Sequence, residues 1–261
     1  MSALTASQRP RLVLIHGWAQ HAGIWQVWRD RLAPIADVTA VDLPGHGGKP
    51  WKNAIRSLDA LADSVLPALE QPAALCGWSL GGMIAMNLAR RHPSRVSRLV
   101  LCNTTPRFVA GHDWLHAVQP SLVEGFRRRV SENPERVLRD FLSLQLRGES
   151  DSRQTLTLLR SALTDQNRPR AAALEFTLSL LAQTDLRDEL AAIAPPTLVI
   201  ASDADAITPL AAGEYLARQL PDARLLTVTG CGHAGFLSRP ERLSPGIDEF
   251  LGGDSVQEMA S

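Results

Sequence analysis

Apolar residues along this chain fall into two kinds of pattern: short, near-continuous runs, and longer stretches where they recur every three or four positions. Residues 12–15, 38–41, 73–76, 96–101, 197–200 and 225–228 form the runs. Runs of this length, rich in Val, Leu and Ile, predict strands buried on both faces of a parallel sheet. Between them the period lengthens. Trp25, Trp28 and Leu32 share one helical face, and Ser57 stands as the N-cap of a helix through Leu61, Val65 and Leu69. A breaker-free segment over 82–90 stops at Pro93, another helix is expected near 210–220, and a last one starts at Pro240-Glu241. Alternating strand and helix predicts an α/β fold, a mostly parallel sheet with helices on both faces.

Residues 107–191 break that rhythm. They hold no convincing strand, and their apolar positions keep helical spacing: Val130, Val137, Phe141 and Leu144, then Leu156, Leu159 and Leu163. The expected organisation is a core of residues 1–106 and 192–261 carrying a helical insertion over 107–191. Ligands of open α/β sheets bind at the carboxyl ends of the strands, so an insertion there would roof the site.

Composition narrows the function. Lys+Arg and Asp+Glu each total 27 in 261 residues, so no global field recruits nucleic acid or an anionic membrane. Cys76, Cys102 and Cys231 are odd in number and far apart, which argues against a disulfide framework and a structural metal. His112 and His116 lack the glutamate of a zinc-protease helix, and nothing in the pattern calls for a cofactor. Residues 1–10 hold no apolar signal core, and no run approaches the roughly 18 apolar residues of a membrane span. The expectation is a cytoplasmic monomer.

The chemistry centres on Gly77-Trp78-Ser79-Leu80-Gly81, preceded by a strand and followed by a helix. A turn this tight thrusts a serine hydroxyl out of the sheet edge, and glycines on either side let backbone pass close to it. The context resembles the nucleophile elbow of the α/β-hydrolases, whose triad runs Ser, then Asp or Glu, then His. After Ser79 the acid candidates are Asp203 and Asp205, in the loop that follows the strand at 197–200. Asp205 is preferred because it lies deeper in the loop before Pro209, where the family pattern places it. His233 sits between glycines after the last strand, placed to take the Ser79 proton through Nε2 and to bond the acid through Nδ1. His92 reads as a capping or surface residue, His46 as a loop-structuring one, and His21 has no reading. Two main-chain amides are candidate oxyanion donors: Leu80 N–H at the helix N-terminus, and Trp18 N–H in the loop after the first strand.

Within the α/β-hydrolases the chain resembles the pimeloyl-[acyl-carrier protein] methyl ester esterases of biotin synthesis. The resemblance covers nearly the whole chain. It rests on residues 14–18 (L-I-H-G-W), 41–45 (V-D-L-P-G), 77–82 (G-W-S-L-G-G), 139–145 (R-D-F-L-S-L-Q) and 184–187 (T-D-L-R). It implies hydrolysis of a methyl ester that masks one end of a pimeloyl chain, with Ser79, Asp205 and His233 as triad. It also implies a substrate site of Trp18, Ser79, Leu80, Phe141, Leu142, Ser143, Leu144, Gln145 and His233, and a transient partner, the acyl carrier protein. Carrier proteins are acidic. Arg136 and Arg153 fall where the family's carrier-contacting arginines lie; a third such position is Thr157, with Arg160 about a turn further on. A general carboxylesterase for short esters, and a menaquinone-pathway lyase using the same triad, are the competing readings. A haloalkane dehalogenase would need aspartate in place of Ser79.

Overall fold

The structure is a computed structural model that describes residues 9–149, 153–164 and 166–252; residues 1–8, where the absence of a signal core was read, lie outside them. Six strands appear among the described residues: β1 (Arg11–Ile15), β2 (Asp37–Val41), β3 (Ala73–Trp78), β4 (Val96–Cys102), β5 (Thr197–Ser202) and β6 (Ala223–Val228). They form one sheet in the order β2-β1-β3-β4-β5-β6, with every neighbouring pair parallel. The order reverses at β1, which sits between β2 and β3, so the carboxyl ends of β1 and β3 open side by side onto a crevice.

Period-2 geometry sorts the strand residues between two cores. Val13, Ile15, Leu75, Leu99, Leu101 and Val199 face one, with α2 (Leu58–Asp63), α3 (Leu80–Arg91) and α8 (Leu210–Gln219) packed over them. Leu12, Leu14, Ala74, Cys76, Val100 and Ile200 face the other, covered by α1 (Gln26–Leu32) and α10 (Pro240–Gly252). Each fully buried aliphatic side chain contributes about 1.5–3 kcal/mol. β3 and β5 are buried at every position, whereas the edge strands β2 and β6 are half exposed, which is why their runs are broken by Asp37, Thr39 and Thr227.

One expected helix divides. Ser57 does cap α2, its Oγ accepting the Ala60 N–H at 3.1 Å, but the helix stops at Asp63 and a 3-10 turn over Leu66–Leu69 follows. Pro67 has no N–H to give to residue 63 and its ring collides with that carbonyl, so an uninterrupted helix through Leu69 cannot form.

Between β4 and β5, among the described residues, lie four α-helices, a 3-10 helix (Arg187–Ala192) and no ladder strand; the α-helices are α4 (Pro120–Val130), α5 (Pro134–Gln145), α6 (Arg153–Ala162) and α7 (Ala171–Gln183). They cap the carboxyl end of the sheet. The root of the cap is an antiparallel bridge between Arg107 and Asp185, reinforced by ion pairs of Arg107 and Arg187 with Asp113 and Asp185. α7 docks on the core through Arg170 N–H to Gly45 O (2.8 Å) and Trp18 Nε1–H to Leu174 O (3.2 Å). After β6 come a short helix α9 (Gly235–Ser238) and then α10.

Candidate active site

Ser79 occupies the turn between β3 and α3 with φ 56° and ψ −118°, a conformation that costs a non-glycine residue roughly 1–3 kcal/mol. Its surroundings hold it there. Ser79 N–H donates to Cys102 O at the end of β4 (3.1 Å), and its carbonyl accepts from Thr104 Oγ1 (2.7 Å) and Gly82 N–H (2.9 Å). The flanking glycines are steric necessities: a Cβ at Gly77 would overlap the Gly81 carbonyl, and one at Gly81 would overlap the Ile15 carbonyl.

The candidate acid and base come from the loops after β5 and β6. His233 Nδ1–H donates to Asp205 Oδ2 at 2.8 Å, and both residues are buried. Asp205 Oδ1 accepts the N–H groups of Ile207 (2.8 Å) and Thr208 (2.9 Å), while Oδ2 also accepts from Thr208 Oγ1 (2.6 Å) and Asn103 Nδ2 (2.8 Å). Burial alone would raise the Asp205 pKa. The His233 ring and the hydrogen bonds from His233, Thr208 and Asn103 outweigh it and hold the carboxylate below its ordinary range. With Nδ1–H committed to Asp205, Nε2 is left as the basic lone pair; it is buried and has no hydrogen-bond partner. The two acid candidates have different partners, and only Asp205 bonds to His233. Asp203 is exposed and its Oδ1 accepts Gly230 N–H at 2.7 Å, so it braces the loop that carries His233 from outside.

The candidate oxyanion donors come from the loop after β1, which carries Trp18, and from the first residue of α3, Leu80. Among the described residues no backbone acceptor takes the N–H of Trp18 or of Leu80. The Gly17 carbonyl, which shares a peptide plane with Trp18 N–H, accepts from His16 Nδ1–H at 2.8 Å and Gln20 N–H at 3.3 Å, so that plane cannot rotate freely. His16 Nε2 accepts Leu43 N–H (3.0 Å), which fixes the proton on Nδ1; burial, then the neighbouring His46, keep the His16 pKa well below its usual value. His46 has its Nδ1–H on Pro44 O (3.1 Å), and His92 ends α3 with Nε2 3.7 Å from Asp63.

α5 and α7 roof this site. Trp18 meets Phe141 edge-on, with centroids 4.7 Å apart, and His233 N–H donates to Gln145 O at 2.9 Å. Trp18, Phe126, Phe141, Leu144, Leu178 and Ile207 are among the walls of a tightly packed apolar cavity of about 10 Å³, room for no more than one water molecule. Of the segment at 141–145, Phe141 and Leu144 face this cavity, and Gln145 is buried with both side-chain amide atoms unpartnered. Leu142 points the other way, into a groove between α5 and α6, and Ser143 is exposed with its hydroxyl bonded back to Arg139 O (3.0 Å). That division follows from 3.6 residues per turn. Arg136, Arg153 and Arg160 are all exposed on α5 and α6 and form no ion pair within 4.0 Å among the described residues; Arg139 and Arg160 share the rim of the same groove.

Sequence reasoning does not find the residues that hold the His233–Asp205 pair: Asn103, Thr208 and the indole of Trp78, whose Nε1–H donates to His233 O at 2.9 Å. Thr208 stands three residues after Asp205, a spacing suited to a local side-chain bond, and was detectable. Asn103 was not, because its contact spans 102 residues. No group of three or more metal-ligating side chains occurs among the described residues, and no helix there is long and apolar enough to cross a membrane.

A strained serine between strand and helix, with a buried His–Asp pair on the neighbouring loops, is the arrangement expected of a serine hydrolase. The chain belongs to the α/β-hydrolase fold family, whose description matches residues 10–240. Within that family it aligns along most of its length with pimeloyl-[acyl-carrier protein] methyl ester esterases. It is 42% identical to the one from Aromatoleum aromaticum, over 94% of this chain and 99% of that protein. It is 38% identical to the one from Nitrosomonas europaea, over 91% and 94%. Among solved structures it superposes on an esterase from Exiguobacterium antarcticum with a TM-score of 0.83 at 20% identity, covering 94% of this chain and 92% of that one; this likeness shows the fold alone. A hydrolase from Pseudomonas aeruginosa gives 0.78 at 26% identity, covering 96% and 93%.

Proposed function

We propose that this protein hydrolyses the methyl ester of pimeloyl-[acyl-carrier protein], releasing methanol and the free carboxylate on the carrier. The observation that supports it most is the His233–Asp205 pair at the sheet edge that bears Ser79, in a chain 34–42% identical to relatives named for this activity. Ser79 Oγ attacks the ester carbonyl as His233 Nε2 takes its proton. Charge developing on the carbonyl oxygen falls to Trp18 N–H and Leu80 N–H, each such donor contributing about 3–4 kcal/mol in the transition state. His233 then protonates the departing methanol. Water, deprotonated by the same nitrogen, opens the acyl-enzyme.

Trp18, Phe141 and Leu144 offer a chain of methylenes an apolar lining, which α5 and α7 must part to admit, and the side-chain amide of Gln145 is available to a polar group of the substrate. The carrier stays outside, against Arg136, Arg153 and Arg160, whose exposed guanidinium groups suit an acidic surface. The reading includes a monomeric enzyme acting in the cytoplasm without nucleic acid, membrane, metal or cofactor. Its test is mass spectrometry of methyl-pimeloyl carrier protein incubated with the enzyme. The expected result is a decrease of one CH₂ in mass, abolished in Ser79→Ala. An unchanged carrier alongside rapid cleavage of short p-nitrophenyl esters would replace this reading with that of a general carboxylesterase.

A further inference from the structure

His233 is held by its backbone as well as by its ring. Its N–H donates to Gln145 O at the end of cap helix α5 (2.9 Å), and its carbonyl accepts the indole N–H of Trp78 at the end of β3 (2.9 Å). Trp78 is 1% exposed and immediately precedes Ser79. Its ring lies against the imidazole with centroids 5.4 Å apart and against Phe236 at 4.7 Å. Three residues on, Trp28 of α1 donates its own indole N–H to Phe236 O at 2.8 Å. Two indoles thus clip residues 233–236, one to the nucleophile strand and one to α1, which packs on the same face of the sheet as Phe236.

We infer that Trp78 is a positioning residue for the base: its indole N–H fixes the His233 main chain relative to the strand that carries Ser79. Asp205 sets the tautomer and tilt of the ring but comes from a separate loop, after β5, and cannot by itself fix the distance from imidazole to serine. Trp78 can, because it is covalently next to Ser79 and bonded to His233. A side chain that is large, flat and apolar would fill this place as well if packing were all it did. Packing does not need the N–H, and an indole N–H buried at this depth without an acceptor would be costly. The same reasoning explains why tryptophan stands before the serine.

The inference rests on Ser79 and His233 being nucleophile and base, and the experiment keeps the two questions apart. Trp78→Phe removes the donor and keeps an aromatic ring; site-specific benzothienylalanine at position 78 keeps the full bicyclic shape and removes only the donor. Trp28→Phe removes the companion clip. Turnover of a p-nitrophenyl ester, the rate of Ser79 labelling by a fluorophosphonate, and thermal melting are measured for each. Both position-78 variants are expected to lose roughly tenfold in kcat and in labelling rate with KM within about twofold, the kinetic equivalent of one buried hydrogen bond. Trp28→Phe is expected to melt earlier while its kcat stays within about twofold. Wild-type kcat and labelling in the benzothienylalanine protein would overturn the inference, as would equal kcat losses at positions 78 and 28. If Ser79→Ala itself kept its activity, the assignment of nucleophile would fall first.

Discussion

The sheet edge and the cap hold their functional residues in opposite ways. At the sheet edge nearly every atom around Ser79 is fixed by something that cannot move: glycines pressed on carbonyls, main-chain hydrogen bonds from β4, and a carboxylate with five donors. In the cap, each helix buries one face and leaves the other to solvent. On α5, Val137, Leu138, Phe141 and Leu142 are buried, while Arg136 and Arg139 lie exposed. The difference assigns the labour. Bond-making chemistry needs geometry good to a fraction of an ångström and sits where the backbone supplies it. Choosing a substrate needs a surface that can change residue by residue without unfolding, and an exposed helix face provides one. Changes at the sheet edge should therefore act on kcat, and changes on the cap on KM.

The largest effect that can break this division is at the proposed nucleophile. Ser79→Ala is expected to lose about 10⁶ in kcat with its melting temperature preserved or raised, since the substitution removes no packing. Next comes the acid. Asp205→Asn is expected to lose about 10⁴ in kcat, because an amide cannot hold the same imidazole tautomer, whereas Asp203→Asn should keep kcat within about threefold. The reverse order in that pair would transfer the role to Asp203.

The sheet unit should also show a dependence on pH between about 4 and 6.5. Burial lowers the His46 pKa to about 4 from an ordinary value of 6.5. The unfolded chain therefore takes up a proton here before the folded one does. Stability from this group is complete above 6.5 and is lost as pH falls toward 4, by about 3 kcal/mol over the whole window. Denaturant midpoints at pH 7.0 and 4.5 should fall steeply in the wild type and less steeply in His46→Gln; parallel curves would remove His46 as the cause. The smallest effect belongs to the cap. Charge reversal at Arg136 and Arg153 is expected to raise KM for the carrier-linked ester about tenfold at low salt, with little change for a p-nitrophenyl ester. Equal effects on both substrates would abolish the distinction between the two regions.

How much was legible beforehand depended on how local each determinant is. The six strands are readable because each is a short aliphatic run, and the elbow because strand, glycines and helix lie within one stretch of chain. Ser57 was readable as a cap for the same reason. Pro67, equally local, was passed over, and with it the break in the helix. The choice between Asp203 and Asp205 was harder: both stand in one loop, and what separates them is a hydrogen bond to a histidine 28 residues away. The inward and outward division of residues 141–145 followed from helix period, yet family likeness had grouped all five together. Asn103 and Gln145 act through contacts that join distant segments, a side-chain amide in one case and a main-chain carbonyl in the other, and no spacing rule announces them.

The bridge between Arg107 and Asp185 brings together two points 78 residues apart, so the chain leaves the hydrolase platform and rejoins it at almost the same place. A segment tethered at adjacent points can be shortened, lengthened or exchanged while the strands beneath it keep their register. The platform is thereby free to receive a different roof, and with it a different clientele, while keeping one unaltered set of reacting atoms.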